Sequence, residues 1–598
     1  MEGASCWTWS SLMAAFITIS SVPRLKPLSA SRVLALQVIG WIGAITLILL
    51  EVRKTPYYAD DEPNSQIAAV LAYTHESSGH YIGRITRQWM TNEGRFFPMS
   101  GFEAVHLFTS VNSRLVYKSL QILVVVLCSL LVGLLVAQIT KDRGIAVLSA
   151  GVMISLVQIR AWYDPTIAFS VLLPSVTIKI LLAINLLIYA ARTTSRVRQS
   201  LAILGALTAW SYAVFQYETA VLLFPAVIVA IWAVANHQRF LKIIETVLMS
   251  IPVLTALVIS RVLRAGVVAS PGYQMNLDRN LLFFTYIRQL FSALPFSYAV
   301  SDLGRFMPGI GVIAIALAVL VASLLTTGLK PAKTNRRGIL SLVLIGCVFL
   351  LGPPITTAVS ARWQLEVVWG VGYLVVFMQY VGLAILIAAL IALIAGKLTQ
   401  RNFRFAQVAI GLITATIVLG TATSNREVSN RLEPIATTRA LFEDSVRDGI
   451  FNRIVDDSTI ISPSTNSNGW VNPWYYQWLN GSRTHKFTGV QDGMVLACTN
   501  ATEPFGCDLK GPWWGFAELP HGDRDTVDVI GQFSRLDVDF FSTELIPGTV
   551  YLVADSKSQL PLPCQIGVTK TRSGNWKGKC VRSVTSFKQV TNLLEAMG

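Results

Sequence analysis

Apolar residues recur in runs of about 20, the length one helix needs to cross a bilayer, from Val33 to about Thr423, and then the runs stop. They lie at 33–50, 119–139, 145–163, 166–190, 200–214, 219–235, 243–262, 309–328, 338–359, 371–396 and 405–423. This pattern predicts an α-helical polytopic membrane protein of about eleven transmembrane helices. The stretch Trp7 to Val22 is apolar but shorter, with no basic residue before it. It is expected to be an interfacial or re-entrant helix, a cleaved signal or a twelfth span being the alternatives.

Past Thr423 the pattern changes. Leu432, Ile435, Ala440, Leu441 and Val446 alternate with charges and predict a helix from Leu432 to Ile450. The runs Thr459 to Ile461, Val527 to Ile530 and Thr549 to Val553, separated by Gly, Pro, Asn and Asp, then predict short strands. Two domains are expected: a transmembrane domain at 1–423, with a long first outer loop at 53–118, and a β-rich (α+β) domain at 424–598.

Composition sharpens this picture. Only 14% of residues are charged and 53% are hydrophobic, against roughly 25% charged in soluble proteins, which excludes a soluble enzyme. The net charge of +15 comes from 49 Lys and Arg against 34 Asp and Glu, and its placement is informative. Arg24, Lys26 and Arg32 precede the first span; Lys141 and Arg143, Arg192, Arg196 and Arg198, Arg239 and Lys242, Lys330 to Arg337, and Lys397 to Arg404 mark alternate short loops. These are cytoplasmic by the positive-inside rule, so an odd number of spans puts the C-terminal domain outside the cytoplasm. Charge spread over membrane flanks also argues against nucleic-acid binding.

Cysteine usage agrees with that topology. Of the 7 cysteines, Cys6, Cys128 and Cys347 fall in or near apolar segments, as inert thiols do. Cys498, Cys507, Cys564 and Cys580 form an even set in the tail, as expected of two disulfides in an oxidising compartment. The local pairing Cys498–Cys507 and Cys564–Cys580 is preferred among the three that four cysteines allow. A zinc site is the alternative, although no His stands at ligand spacing.

Candidate chemistry gathers on the outer face. Asp60, Asp61 and Glu62 follow the first span and precede Pro63, so three carboxylates crowd a turn at a helix entrance. Such a turn either caps the helix or performs proton or cation chemistry. The same loop carries Trp89, Asn92, Gly94, Arg95 and Pro98, and the arginines Arg84, Arg87, Arg95 and Arg114, which suit an anionic lipid head group. Asp164, then Gln216, Tyr217 and Glu218, then Arg362 and Glu366 stand at the outer ends of other spans. Ionisable groups at that depth are expensive and point to function. His75, His80 and His106 in the first loop read as hydrogen-bonding residues rather than a metal triad. The dense tail aromatics, Trp470 to Trp478 with Trp513 and Trp514, suit core packing and a membrane-interface belt, or sugar stacking. No phosphate-cradling ATPase loop and no nucleophile elbow appears.

Asp60-Asp61 with Gly94-Arg95 and Pro98, on a chain of about eleven spans with an outer C-terminal domain, resembles the GT-C superfamily of integral-membrane glycosyltransferases. The nearest patterns are those of bacterial O-antigen glucosyltransferases and of actinobacterial arabinofuranosyltransferases; Gln216-Tyr217 reverses the Tyr-Gln order frequent in the former. The resemblance implies an inverting transferase that moves a hexosyl or pentosyl group from a polyprenyl-phosphate sugar donor to a glycan or glycolipid acceptor. Transfer would occur on the outer face of a bacterial plasma membrane, among membrane lipids. It implies Asp60 as general base, with Asp61 orienting the acceptor or holding a divalent cation (Mg, Mn or Ca), the two roles being exchangeable. Arg95 and Arg362 would hold the donor phosphate. Asp164, Gln216, Tyr217, Glu218 and Glu366 would contact substrate or hold those arginines. A transporter or flippase of lipid-linked saccharides, and an O-antigen polymerase or ligase, are the rival readings.

Overall fold

The computed structural model describes residues 29–447, apart from interruptions at 112, 162, 235–238, 268–273, 300, 302–310 and 332–334, and past 447 only short segments between 459 and 583. Among the described residues seven helices are long and apolar enough to cross a membrane: Ala30–Lys54, Arg114–Thr140, Leu172–Ala190, Arg239–Gly266, Arg336–Ala358, Val376–Lys397 and Arg401–Glu433. The chain is a polytopic integral membrane protein. Its lipid-facing positions, such as Val312, Ile313, Leu254 and Val262, are apolar and exposed, the inverse of a soluble surface.

Seven such helices stand against about eleven expected from the runs. Three runs form shorter apolar helices, Arg143–Ser155, Glu218–Val234 and Val312–Thr326, and 200–214 lies in the helix Arg196–Gln216. The run 145–163 departs most. It is helical only to Ser155, after which the chain turns into a buried loop through 168. Two side chains fix that loop: the Asp164 carboxylate accepts from the backbone N–H of Arg160, Thr166 and Ile167 at 2.8, 2.6 and 2.8 Å. Asn425 accepts from Ile159 N–H at 2.7 Å and donates to the carbonyls of Val157 and Ile48 at 2.9 and 3.2 Å. The run 219–235 is also irregular: a short helix, Phe224–Val229, with Pro225 in its first turn, stands between a 3-10 turn and a π turn.

Glycine lets two spans meet backbone to backbone. A Cβ on Gly382 would lie 2.5 Å from Leu350 N and 2.7 Å from the Gly346 carbonyl, so Arg336–Leu351 and Val376–Lys397 approach through a glycine contact. The last span does not end at Thr423. It is part of one helix, Gln400–Arg447, of 48 residues, so the helix expected at 432–450 is its extension. At 1.5 Å per residue it measures about 70 Å, more than twice the bilayer core.

The loop expected at 53–118 folds into the helices Ile67–Thr74, Ser78–Glu93 and Pro98–Ser110. In the tail, the backbone of Thr459–Ser462 pairs in parallel with Lys486–Gly489 and with Trp513–Glu518, and the latter pairs antiparallel with Val550–Ala554. Most of the domain expected at 424–598 lies outside the described residues, as does the proposed bonding of Cys498, Cys507, Cys564 and Cys580. Cys128 and Cys347 are free thiols. The stretch Trp7 to Val22 is also outside the described residues.

Candidate active site

Thr55 leaves helical geometry (ψ 148°) because Pro56 follows it, and this ends the first helix. The chain then rises through Tyr58, whose hydroxyl donates to the Ala161 carbonyl and whose backbone bridges Ala168. Ala59 adopts φ 50°, a left-handed conformation that a non-glycine residue holds only under constraint. The helix Asp61–Asn64 follows, with Asp60 at its N-cap. The acids do stand at a helix entrance, and Pro63 sits inside this short helix, since a first-turn residue needs no N–H.

Asp60 makes no capping hydrogen bond, so the capping explanation for the acidic turn fails for this residue. Its side chain instead lines a cavity of about 750 Å³. The wall brings together Asp60, Glu62, Arg95, Tyr163, Tyr217 and Arg362 from five separated stretches of chain, with Trp89, Phe97, Trp363 and Tyr373 as aromatic surface. Asp60 is reachable by solvent yet enclosed on most sides. Desolvation raises its carboxyl above the ordinary aspartate range, and Arg362 partly offsets the rise.

Gly94 explains the Gly-Arg pattern. It caps Ser78–Glu93 with φ 60°, and a Cβ there would stand 3.1 Å from Arg264 Cγ. The turn sends Arg95 back into the cavity, and Pro98 at the first turn of the next helix completes the reversal. Arg95 Nη2 meets Glu218 Oε1 at 2.5 Å, and its guanidinium lies 4.6 Å from the Phe97 ring centroid. Across the cavity Arg362 Nε donates to Glu366 at 2.8 Å and Nη2 donates to the Tyr163 hydroxyl, also at 2.8 Å. Tyr163 in turn donates to Glu366 at 2.9 Å, and burial pushes its hydroxyl up to about 12. Trp363 stacks on Tyr373 with ring centroids 3.7 Å apart.

Other expected site residues lie elsewhere. Asp61 is fully buried and accepts from Tyr117 Oη at 2.6 Å and Gln121 Nε2 at 3.1 Å, outside the cavity wall. Asp164 is fully buried and serves its loop backbone; burial raises its carboxyl to about 6 against the opposing backbone bonds. Gln216 is buried behind Asp60 and donates to Glu103. Arg84 pairs with Glu76 on the surface at 3.0 Å, and Arg114 donates to the carbonyls of Arg53 and Thr55 at 2.9 and 2.8 Å, so neither reaches the cavity. Among the described residues no group of three or more His, Cys, Asp or Glu is placed to hold a metal ion.

Sequence reasoning gave Glu62 no role of its own and did not single out Arg439, Glu103 or Lys179. Glu62 lines the cavity and is raised by burial, with Arg439 opposing that rise. Arg439, from the extension of the last helix, donates to Glu443 at 2.7 Å and to Ser65 Oγ at 2.8 Å, and lies 4.8 Å over the Tyr57 ring. Glu103 anchors Lys179 and Ser175 beside Asp60. Lys179 carried a visible signal, a lone charge inside an apolar run.

No protein-family model and no curated protein matches the chain. Among solved structures it is similar to the crystal structure of ArnT from Cupriavidus metallidurans bound to undecaprenyl phosphate, at 10% identity, covering 85% of this chain and 93% of that one, with a TM-score of 0.34.

Proposed function

We propose that the protein is a GT-C-type inverting glycosyltransferase that moves a sugar from a polyprenyl-phosphate donor to a glycan or glycolipid acceptor at the outer face of a bacterial plasma membrane. The observation that carries the reading is one cavity wall holding an uncapped carboxylate of raised pKa, Asp60, together with two arginines, Arg95 and Arg362.

In this reading the acceptor hydroxyl oxygen attacks the anomeric carbon and its proton passes to Asp60. The bond from that carbon to the phosphate oxygen breaks, and the lipid phosphate leaves with the electron pair. A base with raised pKa is suited to the transfer, and fixed guanidinium donors stabilise the charge that grows on the leaving phosphate. Glu218 and Glu366 each hold one edge of an arginine and so fix the plane it presents. Trp363, Tyr373 and Tyr163 offer faces for the apolar side of a sugar ring. Asp61 anchors the turn that carries Asp60, and no step is assigned to a cation. The segment 424–598 is an extracytoplasmic domain in the same reading.

The test is transfer by purified protein from a panel of polyprenyl-phosphate sugars, comparing wild type with Asp60→Asn. A folded Asp60→Asn variant of undiminished rate overturns the mechanism. Movement of lipid-linked sugar across the bilayer without transfer from any donor overturns the enzyme.

A further inference from the structure

Behind Asp60 the main cavity continues into a recess of about 70 Å³. The two spaces share Asp60, Asn64, Ser100, Ala104, Phe169 and Leu172, while Glu103 and Gln216 border only the recess. Neither Arg95 nor Arg362 reaches it. It lies on the side of the base away from the phosphate-binding arginines, where an acceptor rather than a donor would extend.

The far end is a built polar centre. The Glu103 carboxylate accepts from Ser175 Oγ at 2.8 Å, and also from Lys179 Nζ, Gln216 Nε2 and the Tyr212 hydroxyl. Lys179 is held further by the Tyr212 ring, 4.5 Å below its ammonium. Gln216 is fully buried, and with Nε2 engaged by Glu103 and Ser175 its Oε1 has no hydrogen-bond partner among the described residues. A buried amide oxygen left in this way lacks a hydrogen-bond donor.

We infer that the recess is an acceptor subsite that takes a neutral hydroxyl or hydroxymethyl group beside the attacking hydroxyl, and that the acceptor is therefore a neutral sugar rather than a uronate or a phosphate. The volume is that of about two waters, room for one such group and not for a second ring. Asp60 and Glu103 on its walls repel an anionic substituent, and Lys179, paired with Glu103, does not border the space. The inference rests on the transferase reading for its assignment to the acceptor.

Isothermal titration of the protein in lipid nanodiscs with methyl hexosides and the matching methyl hexuronides tests it without turnover. The expected result is that at least one hexoside binds roughly tenfold or more tightly than its uronide. Glu103→Gln, which keeps the shape and removes the charge, narrows that ratio, and Ala104→Leu, which fills the recess, removes the hexoside preference. Uronides binding as well as hexosides, no hexoside binding to the wild type, or an unchanged ratio in both variants each overturns the subsite. Hexoside binding with the expected ratios but no transfer from any polyprenyl-phosphate sugar leaves the recess in place and overturns the transferase.

Discussion

Asp60 and Asp61 are adjacent in sequence and serve opposite surroundings: Asp60 faces the cavity without a capping bond, while Asp61 is sealed in the bundle against Tyr117 and Gln121. The pair therefore separates by substitution. Asp60→Asn is expected to keep the thermal midpoint of the wild type and lower transfer by about 10²- to 10⁴-fold, the scale of general-base catalysis. Asp61→Asn is expected to destabilise by about 1–3 kcal/mol, because a buried hydrogen-bonding set loses its charged acceptor. Thermal unfolding and transfer rate, measured on both variants, should give this crossed pattern.

A general base works only when unprotonated, and desolvation raises the pKa of Asp60, so if Asp60 is the base, kcat/KM should fall on the acid side at a pH above the ordinary aspartate value of about 4. Arg362 opposes that rise. Arg362→Gln removes the offset, stabilises the protonated acid and should move the acid limb to higher pH. A pH profile of the variant with the limb unmoved or shifted downward would contradict the electrostatic account.

Arg95 and Arg362 are held edge-on by Glu218 and Glu366, an arrangement that a single ammonium does not reproduce. Arg95→Lys or Arg362→Lys should weaken donor binding by about 10- to 100-fold, corresponding to one or two charge-assisted hydrogen bonds of about 1.5–3 kcal/mol each. The KM for lipid donor should rise while the acceptor KM stays nearly constant. Equal effects on both substrates would remove the arginines from the phosphate.

Gly94 holds φ 60° with Arg264 close by. Gly94→Ala should cost about 1–2 kcal/mol from the left-handed backbone alone, and should raise the donor KM because the turn aims Arg95. Unfolding midpoints and donor titration together check it.

The spans and the acidic turn were legible because length, apolarity and clustered charge are local properties. Arg95 and Arg362, which the structure places in the cavity wall, stood out for a related reason, as arginines that the positive-inside rule does not call for at those positions. What escaped was set by packing between distant segments. Asp164 lies just past the end of the run 145–163, and the bonds that its carboxylate accepts from three backbone N–H groups favour a loop that hydropathy reads as helix. Asp61 looked equivalent to Asp60 until Tyr117, 56 positions on, claimed it. Arg84 and Arg114 looked equivalent to Arg95, yet each finds a nearer partner before the cavity. Arg439 sat in the predicted tail helix with nothing in its neighbours to indicate contact with Ser65.

That contact gives the long helix Gln400–Arg447 a second property besides crossing the bilayer. Asn425 locks its lower part to the loop at 157–159, and Arg439 locks its upper part to the turn that carries Asp60. Because an α-helix advances about 100° per residue, the two locks engage together only at one phase. Between Asn425 and Arg439 the helix counts residues: a one-residue insertion would swing Arg439 to another face, and two whole turns would restore the angle but lift it past Ser65. The spacing of these two side chains, rather than the identity of the residues between them, sets the height at which the acidic turn is held.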